Sequence, residues 1–214
     1  MKTAVIWDLD GTLFDSYPVI VESIYLTFQE AGVHLSREEI KEFAIRTSSN
    51  ALFYDVADER GIAAEALFER YRQLSRARHL QIVPMDGAME ILELLHRQNV
   101  SQFVYTHRGK TTIPVLDHLN MTSYFQEILT SESGFARKPS PEAIDYLIQT
   151  YDLDREHTYY VGDRKLDMAC AKNAEITGVL LRRPGDLDVA DGTEKYIVGD
   201  LREILDVVIN KGYC

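Results

Sequence analysis

The stretch VIWDLDGTLFDS, Val5 to Ser16, closes an apolar run on two aspartates one residue apart, Asp8 and Asp10, then turns at Gly11 and Thr12. The run itself, Thr3 to Leu9, shows no polar alternation. That is the pattern of a short strand covered on both faces, as in a parallel sheet. A strand buried on both sides and ending in negative charge points to a sheet whose rim carries chemistry.

Similar short runs recur at Gln102–Thr106, Glu127–Thr130, Thr158–Val161 and Thr177–Leu181, with a weaker one at Tyr196–Val198. Helical patterns lie between them, at Ala88–Gln98, Thr112–Leu119, Pro141–Tyr151, Leu166–Glu175 and Leu201–Ile209. Strands alternating with helices predict an α/β fold, a doubly wound and mostly parallel sheet. From Asp15 to about Val83 the alternation stops. Amphipathic helices are expected there instead, at Pro18–Ala31, Ser36–Thr47, Ala51–Arg60 and Ala64–His79, with "SREE" as a capping box and "AGV" and "RGI" as stops. The predicted organisation is a core of residues 1–14 and 84–214, interrupted by a helical insert at 15–83, with Pro84 as the return hinge.

A chain of 214 residues is long enough for a sizeable core. Its formal net charge of -11 argues against nucleic acid and membrane surfaces as partners, because both are anionic and would be repelled at long range. No apolar run reaches the about 18 residues of a membrane span, and the apolar start is too short for a signal-peptide core. Cys170 and Cys214 are far apart and form no CxxC pair, so neither a disulfide framework nor a thiolate zinc site is expected. A reducing cytoplasm fits best, with Cys170 as a small buried apolar group.

Ligands of open parallel sheets bind beyond the carboxyl ends of the strands. The residues closing each run are Asp8 and Asp10, Thr106, Lys138 in "ARKPSP", and Asp163 with Asp167 in "VGDRKLD". Carboxylates gathered in one crevice repel one another unless a hard divalent cation sits among them, and Mg²⁺ takes carboxylate oxygens, waters and phosphate. The expected cofactor is therefore Mg²⁺. With a cation and a lysine offsetting like-charge repulsion, Asp8 can attack a phosphate as a nucleophile, and Asp10 can serve as general acid and then base. Thr106 would offer its hydroxyl and neighbouring backbone donors to phosphate oxygens, and Lys138 would offset charge on both partners. Asp163 would bind the metal, while Asp167, a helical turn on, would hold a metal-bound water or orient Lys138.

These strings resemble the motifs of the haloacid dehalogenase superfamily: "DLDGTLFDS" its first, "VYT" its second, Lys138 its third and "GDRKLD" its fourth, in family order and across almost the whole chain. The resemblance implies a Rossmann-like core with a small helical cap between the first and second motifs. It also implies Asp8 as nucleophile, Asp10 as acid and base, Thr106 and Lys138 as phosphate binders, and Asp8, Asp163 and the Asp10 carbonyl as metal ligands. The branch it is most similar to is that of the phosphoglycolate phosphatases. Enclosure by a helical cap makes a small phosphorylated metabolite the expected substrate, for a monomer or small homo-oligomer.

Weaker signals sit around this set. In "THRGK" the Asn or Ser that often follows Thr in the family is replaced by His107, expected to offer its backbone N–H to phosphate. Arg108 reads either as a further phosphate contact or as a solvated charge. In the insert, Arg46 to Asn50 reads as a polar break, a substrate-selecting segment with Arg46 as contact or a plain connection. Phe43, Phe53, Tyr54, Phe68 and Tyr71 fall at helical spacing and read mostly as core of the insert. A phosphosugar mutase of the β-phosphoglucomutase type is the nearest alternative, modestly disfavoured by Thr12 where those enzymes commonly carry Val. A non-catalytic phosphometabolite-binding protein is the alternative from another class. Strings for P-loop, dinucleotide and serine-hydrolase sites are missing.

Overall fold

The computed structural model describes residues 2–47 and 49–209. Its chain divides into two compact units, one formed by the segment up to Asp15 and that from Pro84 onward, the other by Ser16–Val83. Two short extended segments, β2 (Phe14–Asp15) and β3 (Val83–Pro84), lie where the sequence passes between units.

In the first unit, β1 (Ala4–Trp7), β4 (Ser101–Tyr105), β5 (Glu127–Leu129), β6 (Thr158–Gly162), β7 (Thr177–Leu181) and β8 (Tyr196–Val198) form a six-stranded sheet in the order β5-β4-β1-β6-β7-β8. Every ladder of this sheet is parallel: α5 (Ala88–Arg97) leads into β4, α6 (Thr112–His118), α7 (Glu142–Tyr151) and α8 (Lys165–Asn173) cross from β4 to β5, β5 to β6 and β6 to β7, residues 182–195 join β7 to β8 without a helix, and α9 (Ile204–Ile209) follows β8. The expected α/β fold is present, with strand ends within about two residues of those read from the sequence. Helix α7 opens after Pro141, where the sequence places it, and Pro139 upstream follows a cis peptide from Lys138; the last helix, expected from Leu201, begins with a 3-10 turn at Leu201–Glu203 and becomes α-helical only at Ile204.

The alternation of β-strand side chains sets the core. Ala4 and Ile6 of β1, Phe103 and Tyr105 of β4 and Tyr160 of β6 point to one face, where they join Ala143, Ile144 and Leu147 of α7 and Cys170 and Ala171 of α8. Burial pushes the Cys170 thiol up to about 12, as expected of a packed rather than reactive cysteine. Cys214 lies outside the described residues. Among the polar groups that enter the sheet, Gln102 accepts from Trp7 Nε1 at 3.2 Å and donates to the Leu92 carbonyl at 3.0 Å.

The second unit holds α1 (Tyr17–Glu30), α2 (Arg37–Arg46), α3 (Ser49–Arg60) and α4 (Ala64–Arg78). The capping box at Ser36 forms: Ser36 Oγ accepts from the Glu39 N–H at 3.2 Å, and Glu39 accepts from the Ser36 N–H at 2.7 Å. Phe28, Phe53 and Phe68 build an aromatic centre, with ring centroids 5.2 and 4.8 Å from Phe53 and with Tyr71 at its edge. Of the five aromatic residues that read mostly as core, Tyr54 is the one 60% exposed, because its neighbour Phe53 takes the inward position on α3; its ring meets Phe68 edge-on at 5.3 Å. Among the described residues no helix is long and apolar enough to cross a membrane.

Candidate active site

Asp8, Thr106 and Asp163 are each the first residue beyond a strand, and their strands β1, β4 and β6 are immediate neighbours. The ladders hold them level: Trp7 lies opposite Val104 on one side and Val161 on the other. The Asp8 N–H donates to the Val161 carbonyl at 2.9 Å and the Thr106 N–H to the Leu129 carbonyl at 3.0 Å, so both anchors continue the sheet's own hydrogen bonding. Gly11, at φ +83°, reverses the chain directly after Asp10.

Lys138 closes the group from the segment between β5 and α7. Its Nζ donates to Asp8 Oδ1 at 2.7 Å and to Asp167 Oδ1 at 2.8 Å, with the lysine side chain wholly buried. The rings of Tyr105 and Tyr160 lie 5.2 and 5.1 Å from that ammonium, close enough for cation–π attraction. Burial alone would lower the lysine pKa, but Asp167 and Asp8 outweigh it and hold Lys138 charged. Asp167 is likewise desolvated, yet Lys138 and Arg164 keep its carboxyl below the ordinary range. Its other oxygen accepts from the Arg164 N–H at 3.1 Å, closing the first turn of α8. Glycine is required at 162 by this packing, since a Cβ there would come within 2.4 Å of Asp167 Cβ.

A second ion pair lies beside the first. Arg108 meets Asp10 with Nη2 at 2.8 Å and Nε at 3.1 Å from Oδ1, and also reaches Thr111 Oγ1 at 2.9 Å. Its side chain is 7% exposed, Asp10's 26%. The Arg108 N–H donates to Thr106 Oγ1 at 3.2 Å, while that hydroxyl keeps a proton to donate elsewhere. His107 Nε2 accepts from the Lys138 backbone N–H at 2.9 Å. Burial, then Lys138 and Arg137, push its imidazole down to about 3, so the ring is neutral.

The structure thus brings Asp8, Lys138, Asp163 and Asp167 to one point, and joins Asp10, Thr106 and His107 to it through residues 106–108. Arg46 is in the other unit, in the last turn of α2, paired with Glu42 at 2.8 Å. Sequence reasoning did not find the Arg108–Asp10 pair or the two tyrosines around Lys138. The available signal was a phenol in each of two buried strands, since a buried Tyr usually carries its hydroxyl to a partner.

Asp8, Asp163 and Asp167 each offer a carboxylate oxygen within 4.8 Å of the others. Lys138 is the cation in direct contact with two of these three acids, and the balance leaves the Asp8 carboxyl raised to about 6, burial being the main cause. An all-oxygen, charge-crowded donor set of this kind suits a hard dication such as Mg²⁺.

Residues 5–181 match the family model of the haloacid dehalogenase-like hydrolases. A phosphoglycolate phosphatase of Pseudomonas fluorescens is 27% identical over 217 residues, covering 94% of this chain and 78% of the relative. Pyrophosphatase PpaX of Oceanobacillus iheyensis is 26% identical over 208 residues, covering 95% of each. The crystal structure of a predicted phosphoglycolate phosphatase from Haemophilus somnus shares the fold at a TM-score of 0.84 and 23% identity, covering 96% of this chain and 97% of that one. With Asp8, Thr106 and Asp163 at the tips of three neighbouring parallel strands, a buried Asp8–Lys138–Asp167 cluster beside them and a match across most of its length, the chain belongs to the haloacid dehalogenase-like hydrolases.

Proposed function

We propose that this chain is a Mg²⁺-dependent phosphatase that hydrolyses a small phosphomonoester through a phosphoryl group carried on Asp8. The observation that carries the reading is the grip of Lys138 on Asp8 at 2.7 Å, in a buried site that also holds Asp163 and Asp167. The relatives named phosphoglycolate phosphatase and pyrophosphatase support it, and they suggest a substrate with a second anionic group beside the phosphate.

In this reading Asp8 forms a bond to phosphorus as the bond to the leaving oxygen breaks, and Asp10 delivers a proton to that oxygen. Water then attacks the phosphoryl group, Asp10 takes its proton, and Asp8 is regenerated as phosphate leaves. Lys138 lowers the negative charge that phosphate meets at Asp8, and Thr106, with the His107 N–H, orients its oxygens. Asp8, Asp163 and the Asp10 carbonyl would hold Mg²⁺, with Asp167 supporting from behind; the ion would supply charge neutralisation and orientation of the phosphate. Arg108 holds Asp10 in place and becomes a substrate contact only by exchanging that carboxylate for the substrate's own acid group. An i,i+4 pair such as Arg46 with Glu42 is ordinary on a helix surface and lends Arg46 no support as a contact. The insert, residues 15–83, is proposed as the substrate-selecting cap of a cytoplasmic enzyme.

The test is phosphate release from a panel of phosphorylated metabolites, including phosphoglycolate and pyrophosphate, with Mg²⁺ and beside Asp8→Asn. Loss on the order of 10³-fold or more is expected in the variant. Persisting activity would remove the covalent step, and phosphate migration without release would make the protein a mutase. A rise in melting temperature with Mg²⁺ alone, reduced in Asp163→Asn, reports the metal independently of turnover.

A further inference from the structure

The Lys138 segment is tied down from two directions. From α8, Asn173 Nδ2 donates to the Pro139 carbonyl at 2.9 Å and Cys170 Sγ to the Ser140 carbonyl at 3.2 Å. From the tip of β4, Tyr105 Oη donates to the Ala136 carbonyl at 3.0 Å and His107 Nε2 accepts from the Lys138 N–H at 2.9 Å. Tyr105 and His107 flank Thr106 in sequence, and their rings meet edge to face at 6.3 Å. Tyr105 is itself fixed, because its own carbonyl accepts from Tyr160 Oη at 3.0 Å.

Of these ties, only that of His107 acts on the backbone of the lysine itself. A ring nitrogen that accepts a hydrogen bond carries no proton, so the proton of this imidazole sits on Nδ1. Burial and the nearby positive charges of Lys138 and Arg137 favour that neutral form. The demand on the segment is high, since one ammonium must reach both Asp8 and Asp167 within 2.8 Å. A shift of the Lys138 backbone by about 1 Å would break one of these bonds, and displacements of that size can cost on the order of 100-fold in rate.

We propose that His107 is a positioning residue: the acceptor on its ring fixes the Lys138 backbone and, through it, the ammonium that faces Asp8, with Tyr105 as the companion anchor at Ala136. The activity arm of the test rests on the phosphatase reading; the spectroscopic arm does not.

Glutamine at 107 can place an acceptor near the position of Nε2, whereas asparagine places one nearer Nδ1 and leucine has none. With p-nitrophenyl phosphate and Mg²⁺, His107→Leu and His107→Asn are expected to lower kcat on the order of 100-fold with KM little changed. His107→Gln should stay within about fivefold of the wild type, having kept the hydrogen bond. Equal loss in Gln and Leu variants that keep wild-type circular dichroism overturns the proposal. Long-range ¹H–¹⁵N spectra of the wild type, with the His107 signals assigned by their loss in His107→Gln, should show a protonated Nδ1 and bare Nε2 at pH 7. A protonated Nε2 overturns the proposal whatever the variants do. A wild type that releases no phosphate would count against the phosphatase reading, and the tautomer would still decide the role of His107.

Discussion

Lys138 and Arg202 each sit among carboxylates. Asp8 and Asp167 meet the lysine at 2.7 and 2.8 Å, and Asp86, Glu90 and Asp200 meet the arginine at 3.1, 2.7 and 2.8 Å. Distances hardly separate the two groups. Exposure does: the lysine side chain is wholly buried and that of Arg202 is 40% exposed. Water screens the Arg202 network, so each of its members can be lost at little cost. At Lys138 no solvent replaces a missing partner, and removing one charge strands the others in a medium that cannot solvate them. Ion pairs are abundant on this protein, and burial decides which of them is chemistry.

The largest effect that would sharpen this contrast is expected from Lys138→Met. Leaving Asp8 and Asp167 buried without their cation should destabilise the fold by about 3–5 kcal/mol and remove turnover. Thermal unfolding and phosphate release measure the two effects, and a variant as stable as the wild type would break the comparison. Arg108→Ala should fall between the extremes, because Asp10 is partly exposed. A loss of kcat/KM on the order of 10-fold is expected, since Asp10 would no longer be held for proton transfer. Arg108→Lys should recover only part of it, as an ammonium cannot match a two-pronged contact. Unchanged kinetics in Arg108→Ala would make the pair a surface feature like that of Arg202. The smallest effect belongs to Arg202→Ala: activity is expected to be unchanged and the melting temperature to move by no more than about 3 °C, less at high salt.

Much of the fold was legible because periodicity survives folding. Buried parallel strands read as unbroken apolar runs, and the residues after them, Asp8, Thr106 and Asp163, could be located by counting from the ends. Pairings were harder. Arg108 and Asp10 are 98 positions apart, and they meet because Gly11 turns one segment while Thr106 and Thr111 fix the other. No local pattern encodes such a meeting. From sequence His107 reads as a backbone donor, and its ring's contact is hidden, since the neighbour it meets comes from a segment 31 residues away whose path follows no period. Tyr54 shows the limit in the helical unit, where spacing names two candidate inward positions and packing around Phe53 admits one.

The ladders that hold β1 between β4 and β6 set the height of each strand tip in steps of one residue. A single deletion between Ala4 and Asp8 would turn every following side chain through to the opposite side of the sheet and retract the acid by about 3.3 Å. Chain length is therefore as tightly constrained here as composition. A homologue could trade Ile for Val along β1 with small loss, yet no frame-shifted strand, whatever its side chains, could deliver the same atom to the same place.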